Sequence, residues 1–279
     1  MMRFLHNPRA LHVLFALWCA LILLAAGFPL LWMAVSALRA PSDLLVVPPK
    51  LFTTPSLYWF REVFETTEAW RWFVNSSIVA FGTALMNMFL GSLAAYGLTR
   101  FKFWGREAIT LGVLFVYIIP PIMIFLPLYV ALDSLGLSNT YPGGILAHTV
   151  LTLPFCLWLM QSFFRGIPAE LDEAALVDGA TSWQIYRLII LPLAAPGVLS
   201  VGILAFIISW SEYLFSSAIM TRGEMKTVPI ALGEMSNSAH APWGEIMVLG
   251  ALTALPVLLL FTVIQRWFVQ GITAGAVKG

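Results

Sequence analysis

Four carboxylates, Glu170, Asp172, Glu173 and Asp178, fall within nine residues of the segment RGIPAELDEAALVDGATSWQIYRLIILP, which covers 165–192. Pro168 suits the first position of a short helix. Glu170, Asp172 and Glu173 then occupy its early turns, where the helix dipole favours anions. Ala174 and Ala175 present almost no side chain, so a second surface is able to approach closely. Asp178-Gly179 ends the helix, since glycine readily takes a left-handed turn. Thr181 and Gln184 have the spacing of a capping box that starts a second helix, and Leu191-Pro192 with Pro196 marks the start of the next apolar stretch. The chemistry available is that of contact rather than catalysis. The segment is an anionic, small-faced helix–turn–helix, suited either to docking or to lying on a membrane surface.

A second candidate is Glu212, inside a long apolar run and flanked by Trp210, Ser211 and Tyr213. Ionisable groups at membrane depth are costly and often functional. Aromatic faces beside hydroxyl and carboxylate acceptors suit a polyhydroxylated solute. The same residues also suit an interhelical hydrogen bond or a carboxylate snorkelling towards the outer face. His148, in another apolar run, reads as a packing or helix-pairing residue. Enzyme chemistry finds no support. The four histidines (His6, His12, His148, His240) form no H-E-x-x-H, no G-x-S-x-G elbow occurs, and Lys226-Thr227 lacks the glycines of a P-loop. Cys19 and Cys156 have neither metal-ligand nor disulfide spacing and read as small hydrophobes.

The elements that must position these residues follow from composition. The chain of 279 residues is 60% hydrophobic and 10% charged, with a mean hydropathy of +0.88. A typical soluble domain is about 45–50% apolar and about 25% charged. That contrast excludes a soluble enzyme, a disordered protein and a nucleic-acid binder, and the net charge of +1 leaves no basic field for phosphate backbones. A spanning helix needs about 20 mostly apolar residues. Six segments qualify: 11–38, 73–97, 108–132, 144–164, 193–219 and 246–268. The reading is an all-α polytopic protein with a tail over 1–10, a six-helix domain over 11–268 and a second tail over 269–279. Nine cations (Arg3, Arg9, Arg100, Lys102, Arg106, Arg165, Arg187, Arg266, Lys278) fall on one side, against six in longer, acid-containing loops on the other. Cytoplasmic loops carry the excess of Lys and Arg, so both termini and the 165–192 segment are expected to be cytoplasmic. The outer loop 39–72 reads as a proline-rich turn followed by an interfacial helix. Pro120-Pro121 and Pro127 interrupt the third segment, either as a kink or as the broken helix of a transport pathway.

The motif Glu173-Ala174-Ala175, three residues, Gly179, nine residues, Ile189, one residue, Leu191-Pro192 resembles the full EAA loop of the permease subunits of binding-protein-dependent ABC importers. Leu153-Pro154-Phe155, Trp158-Leu159, Phe163-Phe164 and Ile167-Pro168 are similar to the run before that loop in carbohydrate-uptake permeases, and WSEYL over 210–214 to part of their fifth span. Trp243-Gly244, Gln265-Arg266 and the tail over 271–279 resemble the smaller permease of maltose-type transporters. The resemblance covers nearly the whole chain. It implies a type I importer fold in a bacterial or archaeal inner membrane, paired with a second permease chain. It implies two separate ATPase subunits that hold ATP-Mg, an extracytoplasmic sugar-binding protein, surrounding lipid, and no nucleic acid. Carried over by position, Glu173, Ala174, Ala175, Asp178, Gly179, Leu191 and Pro192 form the ATPase-coupling element. By the same resemblance Gly275, Lys278 and Gly279 reach the ATPase, and Trp210, Ser211, Glu212 and Tyr213 border the solute path. A stand-alone secondary transporter would suit the composition but leaves the complete loop unexplained.

Overall fold

The computed structural model describes residues 8–50 and 53–276, and among the described residues every regular element is helical. The elements are α1 (Pro8–Ala37), α2 (Pro41–Leu44), α3 (Tyr58–Thr66), α4 (Ala69–Arg100), α5 (Arg106–Ile118), α6 (Pro121–Ser134), α7 (Tyr141–Arg165), α8 (Glu170–Val177), α9 (Ser182–Ile185), α10 (Leu191–Trp210), α11 (Leu214–Ile219), α12 (Val228–Ser236) and α13 (Trp243–Ala276). Five helices are long and apolar enough to cross a membrane: Leu14–Ala37, Ala69–Arg100, Tyr141–Arg165, Ser182–Trp210 and Trp243–Thr262.

The chain forms two compact units. The first comprises 1–69 and 235–255, the second 70–234 and 256–279. In the first, α3 is the helix expected after the proline-rich turn. Arg39 is buried there, with its guanidinium 4.7 Å from the Trp32 ring centroid and Nη2 donating to the Lys50 carbonyl at 2.9 Å.

The second unit departs from the expected spans in two places. The third segment is not one helix. The α5 and α6 axes are bent by 102°, because Ile119 and Pro120, each followed by a proline, are extended (ψ 125° and 131°). At about 1.5 Å per residue neither half crosses alone. Together they do pass from one end of this unit to the other. Arg100, at the end of α4, donates from Nη2 to the Ile167 carbonyl beyond α7 at 2.9 Å, so α5 begins at that end. Tyr141, just past α6, donates its hydroxyl to Asn75 near the start of α4 at 2.8 Å. The fifth segment starts earlier than expected and stops sooner. A π-helical turn, Tyr186–Ile190, joins α9 to α10 without a break at Pro192, and the helix ends at Trp210. The wider turn accommodates Pro192, whose ring would otherwise meet the Leu188 carbonyl one regular turn back.

An apolar core joins Ala95 and Tyr96 of α4, Cys156, Met160 and Phe164 of α7, Ala175 of α8 and Ala194, Val198 and Val201 of α10. Between apolar helices in lipid, close packing replaces the hydrophobic drive, so small residues mark the contacts. Gly197 is one: a Cβ there would lie 2.5 Å from the Phe163 ring. A Cβ on Gly97, by contrast, meets nothing within 4 Å. Gly197→Ala is therefore expected to destabilise the purified protein by about 1–3 kcal/mol through overpacking. Gly97→Ala should be neutral or stabilising by up to about 1 kcal/mol. Thermal unfolding midpoints in one detergent compare the two.

Candidate functional site

The 165–192 segment is two helices hinged at a glycine. Ala169 is the N-cap of α8, which places Pro168 ahead of the cap rather than at the first helical position. Glu170, Asp172 and Glu173 fill the first turn. Gly179 has φ +84° and follows the last turn of α8, its N–H donating to the Leu176 carbonyl at 3.0 Å. Thr181 and Gln184 form the reciprocal capping box that starts α9. The two helices then divide their faces. Ala175 is buried in the core with Ile185 and Tyr186. Glu173, Ala174 and Asp178 face outward with Leu171, Leu176, Trp183 and Val177, the last of which is 88% exposed. An exposed apolar cluster rimmed by acids marks an interaction surface. Leu191 and Pro192 open α10, the first partly covered and the second exposed.

Residues outside the motif hold this hinge in place. Arg100 Nε lies 3.1 Å from Asp172 Oδ2, and the two side chains are only 12% and 14% exposed. Tyr96 donates its hydroxyl to the Ser182 carbonyl at 3.3 Å, and its ring lies 5.2 Å from that of Tyr186. The Tyr186 hydroxyl lies 2.8 Å from Ser92 Oγ. Thus α4 carries three separate attachments to α8 and to the start of α9 and its π-turn. Sequence reasoning counted Arg100 only as a topological cation. The available signal was that four of the 14 acids sit in 170–178, where a cation at a helix end would find a partner.

The second candidate site is not mid-span. Glu212 occupies the break between α10 and α11 and acts as a cap. Its Oε1 accepts from the Phe215 N–H at 2.8 Å, and its Oε2 from the Ser216 N–H at 2.9 Å and the Ser216 hydroxyl at 3.0 Å. His148 Nε2 of α7 lies 3.0 Å from Glu212 Oε2, and Nδ1 lies 2.7 Å from Ser209 Oγ. Farther along α7, Asn87 Nδ2 of α4 donates to Thr152 Oγ1 at 2.7 Å. Trp210 is buried and stacked on Phe206 at 5.5 Å between ring centroids. Ser211 and Tyr213 are exposed. Glu212 also borders a cavity of about 410 Å³ at the α5–α6 bend, walled mainly by apolar side chains such as Tyr117, Pro121 and Phe155. The pairing of His148 with Glu212 is not marked by any local pattern, although no other acidic or basic side chain lies within the middle four apolar segments.

Residues 87–274, which take in the hinge and the break at Glu212, match the family model described as binding-protein-dependent transport system inner membrane component. The chain belongs to this family. It is 34% identical over 264 residues to the probable ABC transporter permease protein YurM of Bacillus subtilis, covering 93% of this chain and 86% of that one. It is 32% identical to the trehalose/maltose transport system permease protein MalG of Thermococcus litoralis, over 97% of each. A bacterial ABC transporter involved in import of the acidic polysaccharide alginate shares the fold, with a TM-score of 0.76 at 19% identity, over 94% of this chain and 98% of that one. The chain is thus a membrane permease subunit and not an enzyme. Of the residues expected to reach an ATPase, Lys278 and Gly279 lie outside the described residues, and Gly275 belongs to the backbone of α13.

Breaking a buried ion pair costs about 3–5 kcal/mol because the abandoned charge stays desolvated. Arg100→Met is accordingly expected to loosen α8 and raise hydrogen–deuterium exchange over 170–178 by about tenfold or more. Glu170→Gln, which removes an exposed acid from the same helix, should leave that exchange unchanged.

Proposed function

We propose that this chain is one of two permease subunits in an ATP-driven importer of a sugar or related polyol, delivered by an extracytoplasmic binding protein. The family, and relatives named for trehalose and maltose or for trehalose, support the solute class. The paired permease is a different chain, two ATPase subunits hold ATP-Mg, and both termini face the cytoplasm of a bacterial or archaeal cell. The observation that carries the reading is the divided hinge: Ala175 locked into the core while Glu173, Ala174 and Val177 remain exposed. In this reading the ATPase receives α8 in a groove. The small Ala174 permits close approach, Glu173 and Asp178 meet basic groove residues, and charge complementarity sets the register. Gly179 keeps the second helix clear of the groove, and Leu191-Pro192 passes movement into α10. The tail at Gly275, Lys278 and Gly279 makes a second ATPase contact.

Gly179→Asp tests the coupling. A non-glycine residue at positive φ costs roughly 1–2 kcal/mol, and here it adds a charge at the docking face. Reconstituted transport should fall by at least about tenfold, with the ATPase either lost from the purified complex or hydrolysing ATP without uptake. Normal transport with normal ATPase retention rejects this role for the hinge.

For the solute path, Ser211 and Tyr213 offer the accessible hydroxyls beside the Glu212 carboxylate, and Trp210 serves as packing behind them. Tyr213→Ala is expected to raise the apparent KM for the binding-protein-delivered sugar several-fold at similar protein yield. Glu212→Gln, which disturbs the α11 cap, should lower the maximal rate as well. Uptake assays that find both parameters unchanged in both variants dismiss this path.

A further inference from the structure

At the end of the second unit that carries α8, a recess of about 420 Å³ opens between the end of α4, the first turns of α5 and the end of α7. Arg106 and Arg165 bring two guanidinium groups to it, with Glu107 as the opposing carboxylate, while Leu98 and Leu111 form its apolar side. A smaller recess of about 230 Å³ adjoins it, sharing Arg106 and adding Lys102. Among the described residues no carboxylate forms an ion pair with Arg106, Arg165 or Lys102. Arg165 donates only to Gln161 Oε1, at 3.0 Å. The cations of these recesses therefore exceed their one acid by two, an excess that no carboxylate among the described residues neutralises.

The surroundings say what kind of anion fits. Phe101, Phe103 and Trp104 alternate with these cations in the α4–α5 connection, and Trp104 is 99% exposed. Aromatics at the end of spanning helices sit at the headgroup level of a bilayer. From the recess an exposed apolar track runs along α5 through Leu111, Phe115 and Ile118, which suits an acyl chain lying beside a bound headgroup. Inorganic phosphate would satisfy the guanidinium groups but gain nothing from the track.

We propose that this recess binds the phosphate headgroup of an anionic phospholipid, with Arg106 and Arg165 as its ligands and Glu107 setting an upper limit on affinity. Basic pockets between spanning helices recognise anionic headgroups in this way, and guanidinium forks match phosphate oxygens bidentately.

The test uses the full-length chain, purified with whatever subunits accompany it. Native mass spectrometry measures binding of phosphatidylglycerol against phosphatidylcholine with identical acyl chains. The intact chain should prefer phosphatidylglycerol by about tenfold or more. The double substitution Arg106→Gln with Arg165→Gln should bring the ratio close to one, while Arg61→Gln, an exposed cation on α3, keeps it. If the double variant does not fold, Glu107→Gln gives the complementary reading, a preference raised several-fold. An intact chain without preference, or a folded double variant or Glu107→Gln variant with the original ratio, overturns the proposal. So does displacement of phosphatidylglycerol by millimolar inorganic phosphate, which would make the recess a site for soluble anions.

Discussion

In hydrocarbon a polar group finds no water, so each one must be satisfied by the chain itself. That constraint governs this molecule more than any single contact. It explains why the break between α10 and α11 is possible at all. Ending one apolar helix and starting another exposes the first amide groups of the second, and each needs an acceptor. Glu212 satisfies two and the Ser216 hydroxyl besides. The carboxylate then needs a partner of its own, which is why His148 stands 3.0 Å away on α7. A charged residue that reads as a binding group in the sequence is, in the fold, first of all the fastening of an interrupted helix.

The same constraint shapes the end that carries α8. Asp172 lies against the bundle, where an unpaired carboxylate would be costly, and Arg100 offsets part of that cost by bringing its guanidinium within 3.1 Å while its second nitrogen reaches the Ile167 carbonyl. Apolar packing at Ala175 and polar fastening at Asp172 sit on one short helix. A force applied to its outer face is therefore delivered to α4 through the ion pair and to α7 and α10 through the shared core. A helix of eight residues is marginal by itself and gains its rigidity from this seating.

Much of this was readable from residue types. The apolar runs, the left-handed Gly179 and the Thr181–Gln184 capping box are local, since each depends on residues within a few positions of one another. The break at Pro120-Pro121 was visible as an interruption, but the size of the bend was not, because proline forbids a continuous helix without dictating the angle that replaces it. Pro168 and Pro192 misled in opposite directions. The first sits outside the helix it seemed to start, and the second lies within a helix it seemed to begin, because a π-turn upstream makes room for its ring. Arg100–Asp172 and His148–Glu212 join residues 72 and 64 positions apart, and periodicity carries no information about such pairs.

The π-turn also bears on how this helix tolerates change. Each residue of a regular helix advances the side chains by about 100°, so one residue held in a wider loop is angular slack stored in the backbone. Deleting a single residue within Tyr186–Ile190 would let a regular ladder form and leave everything downstream near its present phase relative to α9, at the cost of the room the wider turn gives the Pro192 ring. A deletion in the regular part of α10 between Gly197 and Ser209 has no such slack, and would turn Ser209 away from His148 while Gly197 stays on Phe163. Five residues at the foot of α10 therefore hold one residue of tolerance in length that the regular helix above them lacks.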